Sequence, residues 1–173
     1  MNPTKILSEE HQNILKIIEA LIKESGALGA GKEIDKTFFE KAIDFIRNYA
    51  DKFHHAKEED ILFKEFNKAE GAHCNPVEQM LYEHDLGRNF VKGLEQGLKE
   101  NNRDKIIENS QGYANLLKEH IFKEDNILYP MIDEVLKQET QELILNQFEE
   151  AELEKFSQGT KEKYLAMAEE LRL

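Results

Sequence analysis

The segments His54–Phe63 (HHAKEEDILF) and His120–Tyr129 (HIFKEDNILY) decide the fold, because the same pattern occurs in both. Each begins with histidine, places glutamate four positions later, continues with an acidic and a polar residue, and ends in Ile-Leu and an aromatic residue. Since residues four apart lie on one helix face, each histidine should point the same way as its glutamate. The two pairs are His54 with Glu58 and His120 with Glu124.

The rest of the chain predicts long helices and almost no strand. Gly and Pro are scarce, and residues that favour helix dominate the long stretches. Apolar residues recur at helical spacing. The predicted helices run from Ser8 to Ser25, from Asp35 to Ala69, from Asn75 to Glu100 and from Arg103 to Leu136.

Several residues predict where these helices begin, end or bend. Asp35 and Asn75 are plausible N-caps, and Pro76 suits the first position of the third helix. The segment 26–33 (GALGAGKE) predicts a flexible connection, and Gly71 predicts the end of the second helix. Pro130 should kink or break the fourth helix.

Four long helices with short connections predict an all-α fold, an antiparallel up-and-down four-helix bundle formed by residues 1–137. Residues 138–173 predict an additional C-terminal helix or helices, interrupted near residues 157–159. This extension should pack on the bundle through three apolar residues, Leu143, Ile144 and Phe148.

Composition excludes several classes of partner. The net charge of −12 argues against nucleic acid and anionic membrane surfaces, which attract clustered Lys and Arg. The sequence has no apolar run long enough to span a membrane and no apolar region at its start. One cysteine cannot form an internal disulfide. We therefore expect a cytoplasmic location and no membrane partner; the sequence does not identify a protein partner.

The faces of the second helix distinguish two adjacent His/Glu pairs. His54 and Glu58 continue an apolar face that includes Ile46 and Ala50, so this pair should point inward. His55 and Glu59 follow acidic and basic residues at helical spacing and should therefore face solvent. This register predicts that a variant without His55 largely keeps a metal site that a variant without His54 loses.

Each remaining helix also offers one histidine on its apolar face, His11 on the first and His84 on the third. Buried carboxylates are costly unless they are paired or bind metal. The six inward side chains therefore predict a site for two metal ions. Imidazole and carboxylate ligands without thiolate suit iron or manganese, with zinc as an alternative. The predicted ligands are His11, His54, Glu58, His84, His120 and Glu124.

These residues resemble the hemerythrin-like, HHE cation-binding domains. The matching segments are EEHQNIL at His11, FHHAKEEDILF at His54, MLYEHDLGR at His84 and HIFKEDNILYP at His120. The resemblance covers about residues 1–137. It implies a four-helix bundle around two non-haem iron ions, oxo- or hydroxo-bridged. It also implies oxygen binding or sensing, peroxide or nitric oxide chemistry, iron sensing, or repair of iron–sulfur centres.

The chain departs from the oxygen-carrying members, which place two histidines one turn apart on the third helix. Here Met80 and Arg88 stand one turn from His84. Those members also use an aspartate five residues after the last histidine. Asp125 has that spacing, but Glu124 matches the first segment and is the residue we choose. A missing histidine predicts a more open iron and favours redox chemistry or sensing over oxygen carriage.

Other polar residues near the predicted ligands have two interpretations. Tyr113 could hydrogen-bond to a bound ligand or coordinate metal, and core packing is the simpler role. His55, Glu59 and Asp125 could support the ligands or form a solvated face. Arg88 could orient a carboxylate or an incoming anion, or form a surface ion pair. His73 and Cys74 suggest an exposed loop or a redox thiol.

The sequence leaves four functions open. The first is a diiron protein that reacts with a small oxidant (oxygen, peroxide or nitric oxide), as a peroxidase-like, catalase-like or nitric-oxide-related enzyme. The second is a non-catalytic oxygen or iron sensor, or an iron store. The third delivers iron to damaged iron–sulfur centres. The fourth is a metal-free helical interaction module, which would keep its stability in His54→Ala.

Overall fold

The computed structural model describes residues 2–69 and 75–173, and helix is the only regular secondary structure in these ranges. Four helices are continuous α-helices: α1 (Pro3–Gly29), α3 (Val77–Lys99), α5 (Gln138–Lys155) and α6 (Thr160–Arg172). Between them lie two composite helices, α2 and α4, each containing π-helical segments. None of the helices described has both the length and the apolar character needed to cross a membrane.

The composite helix α2 begins at Lys36 and ends at Lys68. It comprises α-helix Lys36–Phe45, π-helices Ile46–His55 and Glu58–Leu62, and α-helix Phe63–Lys68. The composite helix α4 comprises α-helix Arg103–Lys123, π-helix Glu124–Leu128 and α-helix Tyr129–Val135. A π-helix is rare and often occurs at functional sites. Both segments of the repeated sequence contain one.

Helices α1 to α4 form the predicted antiparallel up-and-down bundle. Helix α4 packs on α1 and α3, and α2 packs on the same two helices from the other side. The C-terminal helices α5 and α6 pack against α1 and α2. Ile144 and Phe148 of α5 are buried as expected, but Leu143 is 48% exposed, so its predicted contact is wrong.

Two apolar clusters fill the bundle. One contains residues such as Ile14, Phe53, Val91 and Leu117, and the other contains residues such as Leu7, Leu62, Met80 and Leu128. On every helix of the bundle the predicted inward histidine lies between members of the two clusters. The cores therefore leave a polar layer across the middle of the bundle. That layer is where the predicted ligands lie.

The first connection is shorter than predicted. Helix α1 begins at Pro3 rather than Ser8 and continues to Gly29, so the first half of the segment 26–33 is helical. Burial of Leu28 stabilises this last turn. The chain then turns at Gly31, whose φ of 102° suits glycine.

The other predicted boundaries mostly hold. Asp35 accepts a hydrogen bond from the Phe38 backbone, and the Asn75 side chain accepts one from Val77, although Pro76 precedes the helix rather than beginning it. Helix α4 does not end at Pro130. The change from π- to α-helix at Tyr129 places this proline in a first turn, where its missing N–H is tolerated. Gly71, His73 and Cys74 lie outside the described residues.

Candidate metal centre

The six predicted ligands meet in the polar layer. Each is at most 1% exposed. Their helices position them because the apolar residues on either side of each ligand pack into the two cores, which fixes its direction. Helix α1 contributes His11, α2 contributes His54 and Glu58, α3 contributes His84, and α4 contributes His120 and Glu124.

These six side chains and that of His55 form two groups of potential ligand atoms. In one group His11 and His54 face Glu58 and Glu124, and in the other His55, His84 and His120 face Glu58. Within each group, the ligand atoms lie within 4.8 Å of one another. Glu58 belongs to both groups. The arrangement can therefore accommodate two ions with a shared carboxylate.

His55 does not face solvent as α-helical spacing predicts. It is 5% exposed and its ring stacks on that of His84, with centroids 3.9 Å apart. The ten-residue π-helix Ile46–His55 explains the difference. Each residue of a π-helix turns less about the axis than in an α-helix, so the face predicted with α-helical spacing is rotated.

The ligand atoms are spaced as atoms around a shared ion would be. The Nε2 atoms of His84 and His120 lie 3.1 Å apart. Glu124 reaches both groups, with 3.2 Å between its Oε2 and His11 Nε2, and 3.1 Å between its Oε1 and His120 Nε2. Two ligands about 2.1 Å from one ion and at right angles to each other would lie about 3 Å apart.

Several buried polar atoms of the centre have no hydrogen-bond partner among the described residues. They are His54 Nε2, Glu58 Oε2 and both carboxylate oxygens of Glu124. An unsatisfied buried carboxylate is costly, and a bound cation removes that cost. The residues present therefore fit a metal site of nitrogen and oxygen ligands.

Behind the histidines lies a closed arrangement of acids, which we call the carboxylate ring. Each helix of the bundle directs one carboxylate to the Nδ1 atom of the next helix's histidine, over distances of 2.7 to 3.0 Å. Such contacts fix the tautomer and orientation of a ligating imidazole. The contacts join Glu10 to His54, Glu59 to His84, Glu83 to His120 and Asp125 to His11.

Cations hold three members of the carboxylate ring. Lys57 donates to Glu10, Arg88 to Glu59 and Lys123 to Glu83, while the Ser8 hydroxyl donates to Asp125 over 2.6 Å. These contacts explain how acids can lie close to a carboxylate-containing centre without mutual repulsion. They also assign Glu59, Asp125 and Arg88 the supporting roles that the sequence left open.

The aromatic residues that end the two repeated segments cover the histidines. Phe63 stacks on His84, with ring centroids 6.3 Å apart, and Tyr129 stacks on His11 at 5.5 Å. The Tyr129 hydroxyl also donates a hydrogen bond to Glu58. Leu62 and Leu128 pack in the second core, whereas Ile127 is 50% exposed. Together with these leucines, the aromatic contacts explain why the repeat extends beyond its histidine and glutamate.

Electrostatics distinguish the two inner glutamates. Burial and the charge of Glu124 raise the pKa of Glu58. Burial alone would also raise the pKa of Glu124, but the charges of His120 and His11 hold that pKa well below its usual range. A raised pKa favours protonation of Glu58, and a proton there competes with a cation for the carboxylate.

Sequence reasoning missed Glu10, Glu83 and Asp51. Their positions in the sequence could have indicated a role beside the histidines. Glu10 and Glu83 directly precede the inward histidines His11 and His84, and Asp51 lies one turn before His55. Asp51 Oδ1 lies 3.5 Å from His55 Nδ1, so His55 also has a carboxylate behind it.

Comparison with known proteins agrees with this geometry. Searches of curated proteins and of solved structures found no match. The family model described as hemerythrin HHE cation binding domain matches residues 2–132, which include the four helices of the bundle as far as Ile132 and all the residues of the two groups. The chain therefore belongs to the hemerythrin HHE cation-binding family.

Proposed function

We propose that this chain holds a pair of iron ions and uses them to react with, or sense, a small oxidant. The observation that carries the proposal is the sharing of Glu58 by two groups of buried histidine and carboxylate ligands. Family membership supports cation binding. The donor set of imidazole and carboxylate favours iron over metals that prefer thiolates.

The proposed ligands are the six predicted residues and His55. One ion takes His11 and His54, the other takes His55, His84 and His120, and Glu58 and Glu124 lie between them. His55 thus supplies the nitrogen that α3 does not provide, since Met80 and Arg88 stand one turn from His84. The expectation of an incomplete histidine set is replaced by a proposal of five imidazoles.

The bound ions would supply electron transfer to a small ligand, and the chain supplies the rest. The carboxylate ring holds the imidazoles in one tautomer, with Nδ1 toward the acid and Nε2 toward the ion. The two apolar cores exclude water on both sides of the polar layer. Tyr129 holds the orientation of Glu58 through its hydroxyl.

Burial favours a retained cofactor over delivery of iron to another protein. The ligands are almost completely enclosed, whereas an ion that is passed to an acceptor needs an accessible route for ligand exchange. We therefore place oxidant chemistry or sensing first, in the cytoplasm, and keep iron storage or donation as the alternatives. Whether the oxidant is turned over distinguishes an enzyme from a sensor.

The test is metal content and oxidant response of protein purified from iron-supplemented cells. The proposal predicts about two irons per chain, near-ultraviolet bands of a bridged pair, and a spectral change with peroxide or nitric oxide. Repeated consumption of peroxide would identify an enzyme, and a reversible shift would identify a sensor. Glu58→Ala should lose the iron, and Glu78→Ala, an exposed residue of α3, should keep it. Protein without iron, or with zinc that iron cannot replace, would contradict the proposal.

A further inference from the structure

The charged pair behind His54 lies beneath the C-terminal helices. Glu10 accepts a hydrogen bond from Lys57 and faces Nδ1 of His54 over 3.0 Å. Lys57 is 2% exposed, and its ammonium lies 3.8 Å from the ring centroid of Phe53 on α2 and 5.4 Å from that of Phe148 on α5. Helix α5 therefore helps to enclose the acid that orients a proposed ligand.

The junction of α5 and α6 completes this cover. Phe156, which lies between the two helices, stacks on Phe53 with ring centroids 4.4 Å apart. Lys161 of α6 donates to Glu152 of α5 over 2.9 Å, and its ammonium lies 5.6 Å from the ring centroid of Phe53. We call α5 and α6, with the residues that join them, the strap. The strap places aromatic rings and an ion pair over the side of the bundle that holds Glu10.

Few buried side chains hold the strap in place. Helix α1 buries 13 of its 27 residues, whereas α5 buries two of 18, Ile144 and Phe148. Helix α6 buries two of 13, Tyr164 and Ala168. The amide oxygen of Gln147 is buried without a hydrogen-bond partner among the described residues, which opposes closure. Since elements with few buried contacts open locally before the rest of a fold, the strap should separate while the bundle stays folded.

The other metal position is enclosed without the strap. The acids behind its histidines are Asp51, Glu59 and Glu83, and cations of α3 and α4 hold them. Arg88 pairs with Asp51 and Glu59, and Lys123 pairs with Glu83. A cavity of about 370 Å³, lined by residues of α2, α3 and α4, adjoins this position. The two positions therefore differ in the elements that cover them.

We propose that the strap is a gate for the metal position of His11 and His54. Its separation from the bundle frees Lys57 and Glu10, leaves His54 without the carboxylate that orients it, and lets the ion enter or leave. Its closure retains the ion. This inference rests on the proposed function, because the gated ion is one of the two proposed irons. It adds how that iron is exchanged and assigns a role to the part of the chain beyond the bundle.

Release of iron from the intact iron-loaded protein into excess EDTA tests the gate. Phe156→Ala should speed the release of one of the two irons by about tenfold and leave the other unchanged, because the lost aromatic contact favours the open strap. Gln147→Met removes the unsatisfied amide and should slow the same release a few-fold. The matched control is Phe90→Ala. It removes another half-buried ring packed on the same core, on α3, and should release both irons as wild type does.

A double variant identifies which iron is gated. His11→Ala lacks the gated position, so His11→Ala/Phe156→Ala should release its remaining iron at the same rate as His11→Ala. Hydrogen exchange of Phe156→Ala gives a measurement that does not depend on iron. Amides of α5 and α6 should exchange faster than in wild type, and amides of α3 should exchange as in wild type.

The outcomes separate this inference from the function on which it rests. Faster exchange in α5 with wild-type release of both irons would overturn the gate while leaving the metal centre intact. Equal acceleration of both irons, or unchanged exchange in α5, would also overturn it. Wild-type protein that takes up no iron would overturn the proposed function and this inference together.

Discussion

The imidazoles of His54 and His55, consecutive in the chain, both lie in the centre, with ring centroids 5.6 Å apart and an angle of 59° between the rings. In a regular α-helix, consecutive residues point about 100° apart, so an inward His54 predicts that His55 points elsewhere. The π-helical segment that ends at His55 changes this spacing. The buried position of His55 favours the opposite of the expectation that a variant without it keeps its metal.

His55→Ala should lower the iron content by about half, because the position formed with His84 and His120 loses one of its three nitrogens. The position formed by His11 and His54 should keep its ion. Metal analysis of purified protein measures the change. Lys64→Ala, an exposed substitution on the same helix, serves as control and should retain wild-type iron. Full iron content in His55→Ala would contradict the assignment of His55 as a ligand.

Glu58→Ala should remove both ions, because Glu58 belongs to both groups of ligands. His11→Ala should remove one ion, because His11 belongs to one group. His120→Ala should likewise lose the ion of the other group. Comparison of the three variants by metal analysis tests the sharing directly. If Glu58→Ala retained one full equivalent of iron, the carboxylate would serve a single ion and the bridged arrangement would be wrong.

Glu10→Gln should lower the free energy of unfolding by about 3 kcal/mol in the metal-free protein, because it leaves the ammonium of Lys57 buried without its partner. Lys57 is 2% exposed. Burial raises the pKa of Glu10 and lowers that of Lys57, which shows that the pair is costly to enclose. Urea unfolding monitored by circular dichroism measures the loss.

The double variant Glu10→Gln/Lys57→Met separates the ion pair from the packing. It removes both charges and keeps a long apolar stem over Phe53, so most of the lost stability should return. Its iron affinity should remain reduced by about tenfold, because His54 has then lost the carboxylate that orients it. Equal stability of the single and double variants would show that an unpaired Lys57 is not the cause.

The metal-free protein should lose stability as pH rises above neutrality. Burial lowers the pKa of His11, but Asp125 and Glu124 outweigh this effect and raise the pKa to about 9. Burial also lowers the pKa of His120, but Glu124 and Glu83 outweigh it and raise the pKa to about 10. A histidine whose pKa is raised in the folded state stabilises the fold fully at pH values below its pKa in the unfolded chain, about 6.5. This stabilisation is lost as the pH rises through the pKa of the folded state.

Iron binding should oppose this loss, since deprotonated imidazole is the form that binds metal. The difference in melting temperature between iron-loaded and metal-free protein should therefore widen between pH 7 and pH 10. Thermal unfolding in both forms across this range measures it. A difference that shrinks with rising pH would contradict the assignment of His11 and His120 as ligands.

Helical spacing was enough to predict the bundle and six of the proposed ligands. Residues such as His11 and His84 could be placed because apolar residues one turn away indicate the buried face. The supporting acids were missed because a contact such as Glu83 to His120 joins two helices, and spacing within one helix does not contain that information.

His55 was misplaced for a different reason. Residue preferences and apolar periodicity describe α-helices, and they do not indicate where a helix adopts i to i+5 hydrogen bonding. Tertiary packing around the polar layer selects the π-helical segments. The extension of α1 through Gly26 to Gly29 has a similar origin, since the buried Leu28 outweighs the low helix propensity of glycine.

The most direct test of the central claim is anomalous diffraction at the iron edge from crystals of iron-loaded protein. The account predicts two peaks, one in each group of ligands. His11 and His54 contact the first, His55, His84 and His120 contact the second, and Glu58 reaches both. A single peak, a peak that His55 does not contact, or iron bound only at the surface would contradict it.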